Sequence, residues 1–345
     1  MDEVSNYHRD IINVAMRELP WEKLSGKNIL ITGATGLIGG AVVEVLMARP
    51  NIDFHVFASG RNKERFEKRF EKYRDFEYLH FLQYDVTHPM DENIDFHFII
   101  DAASGANPKE YATNPVGVMK ANIYGVDNLL TYGKSHNIEK FLYVSSGEIY
   151  GEGDGRVFSE DYSGYVDCNS VRACYPSSKR AAETLCASYA AQYGIEMNIA
   201  RPSHVFGPHF SESDNRVYAQ FIRNVLRDQN IVMKSSGEQF RSWCYVVDCV
   251  SAILYILLKG KSGEAYNIAD LNSNISIKDF AEMIASIGGK NVIIEKPSDI
   301  EKKGYNVVKK SVFSISKISK LGWSVNGDME SKMRSTILAC KKIKI

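Results

Sequence analysis

The chain has 345 residues, 44% of them hydrophobic and 24% charged, and its 42 basic side chains balance 42 acidic ones. Zero formal charge removes the global attraction to phosphate expected of a nucleic-acid binder. No run approaches the ~20 consecutive apolar residues of a membrane span, and the polar, acid-bearing start at residues 1–10 reads as neither secretory signal nor transit peptide. The expectation is therefore a soluble cytoplasmic protein, with neither nucleic acid nor membrane as partner.

In chain order, residues 1–26 read as an N-terminal helical extension, apolar at Ile11, Ile12, Val14, Ala15 and Met16 and broken at Leu19-Pro20-Trp21. From Lys27 short apolar runs alternate with longer periodic segments. Strands are predicted at 28–32, 55–58, 77–83, 96–102, 140–145 and 196–200, with helices between them including 37–48, 116–136 and 178–193. Parallel strands need crossovers, so this alternation implies an α/β fold with a doubly wound parallel sheet. Residues 27–200 would form that nucleotide-binding (Rossmann) domain. After Arg201 the rhythm loosens, and 201–345 read as a smaller α/β C-terminal lobe for substrate, interleaved with late sheet elements such as a returning strand at 265–268. Six cysteines (Cys168, Cys174, Cys186, Cys244, Cys249, Cys340) form no Cys-x-x-Cys pair and have no His at ligand spacing, so they read as reduced thiols and no metal site is assigned.

Gly33-Ala34-Thr35-Gly36-Leu37-Ile38-Gly39 follows the first strand and opens a helix. Gly33 permits the tight turn, Gly36 lets the backbone approach a pyrophosphate, and Gly39 lets helix and strand pack closely. The helix N-terminus supplies unpaired N–H groups and the positive end of its dipole. With its Gly-x-x-Gly-x-x-Gly spacing the chain resembles the extended branch of the short-chain dehydrogenase/reductase superfamily, whose members act on nucleotide sugars. The cofactor is then NAD, with NADP possible. No acid stands at the end of the second strand to meet a ribose 2′-hydroxyl, and Ser59 and Arg61 instead suit a 2′-phosphate; alternatively Arg61 stacks on the adenine of NAD. The resemblance also assigns Thr35, Leu37, Ile38, Asp85, Val86, Ala102, Ala103 and Asn122 to the cofactor.

Tyr175-Pro176-Ser177-Ser178-Lys179 sets a phenol and an ammonium one helical turn apart on one face. A free tyrosine, with a pKa of about 10, is a poor base at neutral pH, and a fixed cation such as Lys179 would favour the phenolate. Tyr143-Val144-Ser145-Ser146-Gly147-Glu148 runs from strand into loop, with Ser146 placed to hydrogen-bond a substrate hydroxyl and Glu148 to act as acid or base beside the sugar. The charge alternation of residues 63–74 reads as a solvated helix face.

Wider stretches, Ala106-Asn107-Pro108 to Asn114-Pro115, Asn122-Ile123-x-Gly125, Val171-Arg172-Ala173-Cys174-Tyr175, Asn215-Arg216-Val217 and Phe240-Arg241-Ser242-Trp243, resemble the UDP-glucuronate decarboxylases. That resemblance implies that Ser104, His204, Arg216 and Arg241 bind a nucleotide diphosphate sugar, that the enzyme serves polysaccharide biosynthesis, and that helices 116–136 and 178–193 make a homodimer. The chain departs from the family at Gly147 (a hydroxylated residue in relatives), His204 (Asn), His209 (Arg) and Lys309-Lys310 (an arginine pair). Three other readings stay open: nucleotide-sugar 4-epimerase, 4,6-dehydratase, and a non-enzymatic cofactor-binding sensor.

Overall fold

The computed structural model describes residues 6–212, 214–296 and 308–343. The first five residues of the expected N-terminal extension, and 213, 297–307 and 344–345 of the expected C-terminal lobe, lie outside the described residues.

Short β-branched runs become strands Asn28–Thr32 (β1), His55–Gly60 (β2), Leu79–Gln83 (β3), Phe98–Asp101 (β4), Lys140–Val144 (β5) and Met197–Pro202 (β6). His204–Phe206 (β7), Ile231–Met233 (β8), Phe240–Tyr245 (β9) and Ala265–Ile268 (β10) follow. One sheet takes the order β10-β6-β5-β4-β1-β2-β3, every neighbouring pair parallel. The sheet is the expected one, with the ends of its strands displaced by a residue or two. Chain direction across it reverses where β1 lies between β2 and β4, and such a switch point opens a ligand crevice at the carboxyl ends of the strands.

Strand alternation sorts side chains between two covers. Leu30, Ile99, Phe141 and Tyr143 face Pro115–Ser135 and Cys174–Tyr193, the long helices of one face, whereas Ile29, Ile31, Ile100 and Leu142 join the opposite core. That opposite core holds the helices Asn6–Ala15 (α1) and Leu37–Met47 (α2) and the almost wholly buried Val246–Lys259. In α1, Tyr7, Ile11, Val14 and Ala15 form one apolar face, which is buried. The short strands β7 and β9, with Asn274–Ser276 (β11) and Lys310–Ser311, form a second small sheet on which late-chain residues approach the crevice; Val292–Ile294 (β12) pairs with β8. All six cysteines are free thiols, and among the described residues no helix is long and apolar enough to cross a membrane.

The charge-alternating run is largely exposed, as expected, with Arg69 as the exception. Its helix Lys63–Arg69 (α3) is capped by Asn62, and Arg69 turns inward rather than into solvent. Arg69 lies 3.5 Å from Glu44 of α2, with side chains only 6% and 4% exposed. Tyr7 donates to the same carboxylate at 2.5 Å. Burial opposes the Glu44 charge, but Arg69, His209 and the Tyr7 hydrogen bond outweigh it and hold the carboxyl below its usual value. A neutral amide here would leave Arg69 as an uncompensated buried cation. Glu44→Gln is therefore expected to cost about 3–5 kcal/mol, read as a lowered urea midpoint.

Candidate active site

The loop after β1 is built around a close approach of two backbones. Gly33 sits at φ +62°, and a Cβ there would stand 2.6 Å from the carbonyl oxygen of Ala102 after β4. Gly36 then begins α2 in an extended conformation without any side-chain cap, so the first amides, those of Leu37 and Ile38, lack a side-chain acceptor. These features fit a dinucleotide pyrophosphate on the helix terminus. Ala102 and Ala103 border the same turn, and the Ala103 N–H donates to Asp101 at 3.2 Å. Thr35 packs beside Gly60 at the end of β2. Arg69 donates from beneath to the carbonyls of Thr35 (3.4 Å) and Gly36, a support that no sequence pattern had signalled.

At the adenosine end, Ser59 is buried, and its Oγ has no partner among the described residues. It does not present a hydroxyl on the surface to a 2′-phosphate. Arg61 is exposed and stands 4.0 Å from Asp85. Burial resists the Asp85 charge, yet hydrogen bonds from Thr87 and the Arg61 guanidinium keep its carboxyl below the ordinary value. Val86 is buried and its carbonyl accepts from Asn128 at 2.8 Å. Asn122, also expected at the cofactor, is fully buried: it accepts from Ser104 and donates to Ser178, both at 2.9 Å. Ser178 in turn donates to the Tyr175 carbonyl at 3.0 Å, so Ser104 and Asn122 brace the helix that carries Tyr175 and Lys179.

That helix starts at Cys174, earlier than the expected residue 178. Pro176 is accommodated in its first turn, where the missing N–H costs no hydrogen bond. Tyr175 and Lys179 consequently share one face. Ser146, just after β5, accepts the Glu148 N–H at 3.1 Å and lies close enough to the Tyr175 phenol to lower it. Tyr111 stacks on Tyr175 with ring centroids 4.8 Å apart. Burial pushes the phenol up to about 12 and Glu148 adds to this, while Ser146, Arg216 and Arg172 pull it down. The expected lowering by Lys179 is not among these leading influences, because the ammonium points past the phenol. Its Nζ donates to the Val144 carbonyl at 2.8 Å and lies 5.8 Å from the Tyr175 ring centroid.

Glu148 is close enough to act on the Tyr175 phenol but already carries a partner: Arg172 Nη2 donates to both its oxygens at 2.8 and 2.7 Å. The Arg172 guanidinium also lies 4.5 Å from the Tyr111 ring centroid. Arg172 and Tyr111 are the two site residues that sequence reasoning passed over, although both stood in stretches quoted for the family resemblance. Arg241 acts on Glu148 as well; burial lowers its pKa to about 10, and its described partners are the carbonyls of Phe240 (3.0 Å) and Val308 (2.6 Å). Arg216 is bound by Asp214 through several short contacts and raised further above its ordinary value, since the Asp214 and Tyr218 interactions outweigh burial.

Burial and the nearby Arg241 lower His204 to about 3, so it stays a neutral ring. His209 is lowered to about 4 by burial and Arg69, and it belongs to the Glu44 cluster rather than to the crevice. Lys309 and Lys310 are both exposed beside β9. Gly147 has a packing cause, because a Cβ there would overlap the Phe313 ring. The hydroxylated side chain of relatives has no room at that position.

Comparison with known proteins places this geometry. The profile of the NAD dependent epimerase/dehydratase family matches residues 29–269. UDP-glucuronic acid decarboxylase 1 of Xenopus tropicalis is 30% identical over 321 residues, covering 90% of this chain and 71% of the relative. UDP-glucuronic acid decarboxylase 6 of Arabidopsis thaliana is 33% identical over 239 residues, covering 69% and 68%. Among solved structures, the UDP-glucuronic acid 4-epimerase of Bacillus cereus, in complex with UDP-glucuronic acid and NAD, superposes with a TM-score of 0.78 at 22% identity, over 92% of this chain and 99% of that one. The last comparison speaks for the fold. The cradle, the Tyr175/Lys179 face and the profile together establish that the chain belongs to the NAD-dependent epimerase/dehydratase family, with NAD as its cofactor.

Proposed function

We propose that the protein decarboxylates a nucleotide diphosphate sugar acid, with UDP-glucuronate as its substrate. The observation that carries this reading is the carboxylate of Glu148 set near the Tyr175 phenol, held by Arg172 and within the influence of Arg241, with Arg216 acting on the phenol itself. A site that only epimerises at C4 needs no acid by the neighbouring carbon, and the cationic surround suits a substrate that carries both a diphosphate and a C6 carboxylate. The likeness to decarboxylases across 90% of the chain supports the same choice.

Gly33, Gly36, Leu37 and Ile38 would hold the pyrophosphate of NAD, with Asp85 and Val86 by the adenine and Lys179 below the nicotinamide end. When bound, NAD supplies a reversible hydride acceptor for C4. Ser146 and Tyr175 hold the C4 hydroxyl, and Tyr175 takes its proton. A carbonyl at C4 places the C6 carboxylate β to it, so the C5–C6 bond pair can pass into an enolate as carbon dioxide leaves. The Tyr175 and Ser146 hydroxyls then face the negative O4. Glu148 governs the proton that returns to C5, and Arg172 fixes the position of that carboxylate.

Two helices, Pro115–Ser135 and Cys174–Tyr193, leave Val116, Met119, Tyr124 and Tyr193 exposed. Burying these side chains against a second copy supports a homodimer, and light scattering should return twice the chain mass; the chain mass alone would oppose it.

Incubation with UDP-glucuronate should release carbon dioxide, and Tyr175→Phe should lower the rate by about 10²–10⁴-fold. Turnover of UDP-glucose or dTDP-glucose without carbon dioxide from UDP-glucuronate would replace this reading with epimerisation or dehydration. The pH profile gives a second check. Burial lowers Lys179 to about 8, against a partial rise from Asp101 and Glu183. The ammonium is therefore present below that value and lost above it, and kcat should fall as one proton leaves on the alkaline side. A profile flat to pH 10 would remove Lys179's charge from the mechanism.

A further inference from the structure

One buried acid near the site has no part in the chemistry described above. Asp101 ends β4, is 1% exposed, and lies in register with Thr32 of β1 on one side and Tyr143 of β5 on the other. Register partners share a face of a parallel sheet. Thr32, Asp101 and Tyr143 therefore form a polar row on the face covered by the catalytic helix, where Leu30, Ile99 and Phe141 below them are apolar.

The hydrogen bonding of Asp101 is one-sided. Oδ1 accepts the Thr32 hydroxyl at 2.5 Å and the Ala103 N–H at 3.2 Å, whereas Oδ2 is buried with no hydrogen-bond partner among the described residues. The cation that acts on this carboxylate is Lys179. Lys179 is itself buried and is tied down by the Val144 carbonyl, with its Nζ 4.5 Å from the Tyr143 ring centroid. A buried ammonium and a buried carboxylate held on one face by separate anchors each remove part of the other's desolvation cost.

We propose that Asp101 is a positioning residue for the Tyr175/Lys179 pair, its carboxylate being the counter-ion that keeps Lys179 protonated beneath the catalytic phenol. The proposal rests on the reading that Tyr175 and Lys179 carry the reaction, but the Asp101–Lys179 interaction can be measured without it.

The other groups around the pair leave this role to Asp101. Glu183, one turn along the helix from Lys179, is bound by Arg201 at 2.6 Å, so its charge is already met. Cys186 on the same helix is buried, and its thiol is pushed well above its usual value. Tyr143 is likewise raised by burial and by Asp101. Tyr84, after β3, is raised by burial first and then by Asp101. All three stay neutral. The Tyr175 ring centroid lies 5.8 Å from the ammonium. Among the described residues, Asp101 is thus the acid acting on Lys179 that is paired with no other cation. Burial raises Asp101 and lowers Lys179, and the attraction of each for the other opposes both shifts.

The test is a cycle of Asp101→Asn, Lys179→Met and the double variant, compared by urea unfolding of the full chain at pH 7. This needs no substrate and no turnover, so an error in the assigned sugar leaves it untouched. The midpoint loss caused by Asp101→Asn should disappear once Lys179 is Met, because the partner charge is gone. Additive losses would mean that Asp101 serves only Thr32 and the turn, and would overturn the proposal. If Asp101→Asn alone is insoluble, the pairing requires that adding Lys179→Met restore soluble protein; a double variant that stays insoluble counts against it. With whichever nucleotide sugar is turned over, Asp101→Asn should also move the alkaline fall of kcat to lower pH by about one unit, tenfold in proton affinity. An unmoved midpoint would oppose the counter-ion role, since loss of a merely structural contact would lower the rate without shifting the titration.

Discussion

The site depends on one hydrogen bond, from the Lys179 ammonium to the carbonyl of Val144 at 2.8 Å. That contact ties the long helix Cys174–Tyr193 to the end of a central strand, inside the protein, where neither partner could be left unpaired cheaply. Tyr175, one turn earlier on the helix, is thereby brought over the loop that leaves β5, within hydrogen-bonding reach of Ser146. The second tie, through Ser178, Asn122 and Ser104, fixes the same helix to its long neighbour and to the loop after β4. Two loops from the adjacent strands β5 and β4 are thus set against one helical turn. The cradle after β1 is held to the same frame because Gly33 lets it touch Ala102.

Charge in this protein is handled locally. A neutral chain with 42 residues of each sign still brings two guanidinium groups, Arg172 and Arg241, to bear on Glu148 and a third, Arg216, on the Tyr175 phenol. Each is treated differently by its surroundings. Arg172 is joined to Glu148, Arg216 is joined to Asp214, and the hydrogen bonds of Arg241 among the described residues go to backbone carbonyls. A carbonyl accepts a hydrogen bond but supplies no full negative charge, and among the described residues the anion acting on Arg241 is Glu148, which Arg172 already holds. The neutral His204 ring beside Arg241 adds no further charge.

Much of this was legible in the chain, for reasons that differ between elements. The parallel sheet follows from apolar runs alternating with helical periods, a pattern spread over many residues and hence robust to any one of them. The cradle and the Tyr175/Lys179 pair are local, so spacing alone defines them. What escaped was set by tertiary approach. Arg69 lies in a run whose alternating charges suit a solvated face, and only the packing of α3 against α2 reveals that it is buried against Glu44. Gly147 reads as a departure until Phe313, far along the chain, is seen to fill the space its side chain would need. Arg172 sits only three residues before Tyr175, but its partner Glu148 is 24 residues away across the crevice. Lys179 was expected to act on the phenol, whereas the fold turns its ammonium toward Val144 and gives that influence to arginines.

The Arg69 cluster carries this reasoning beyond the crevice. Phosphate-binding loops work because their amides point at the ligand, which leaves the carbonyls on the other side needing donors. Here Arg69 supplies donors to the carbonyls of Thr35 and Gly36, and Glu44 answers the charge that this burial brings in. Tyr7 completes the arrangement by giving Glu44 a hydrogen bond from the N-terminal helix. The helix that precedes the nucleotide-binding sheet is therefore coupled to the cradle through three side chains, and not merely packed on its outside. Loosening α1 would cost the carboxylate a donor and the guanidinium part of its counter-charge, and the cradle would lose rigidity at the two residues where a pyrophosphate must sit.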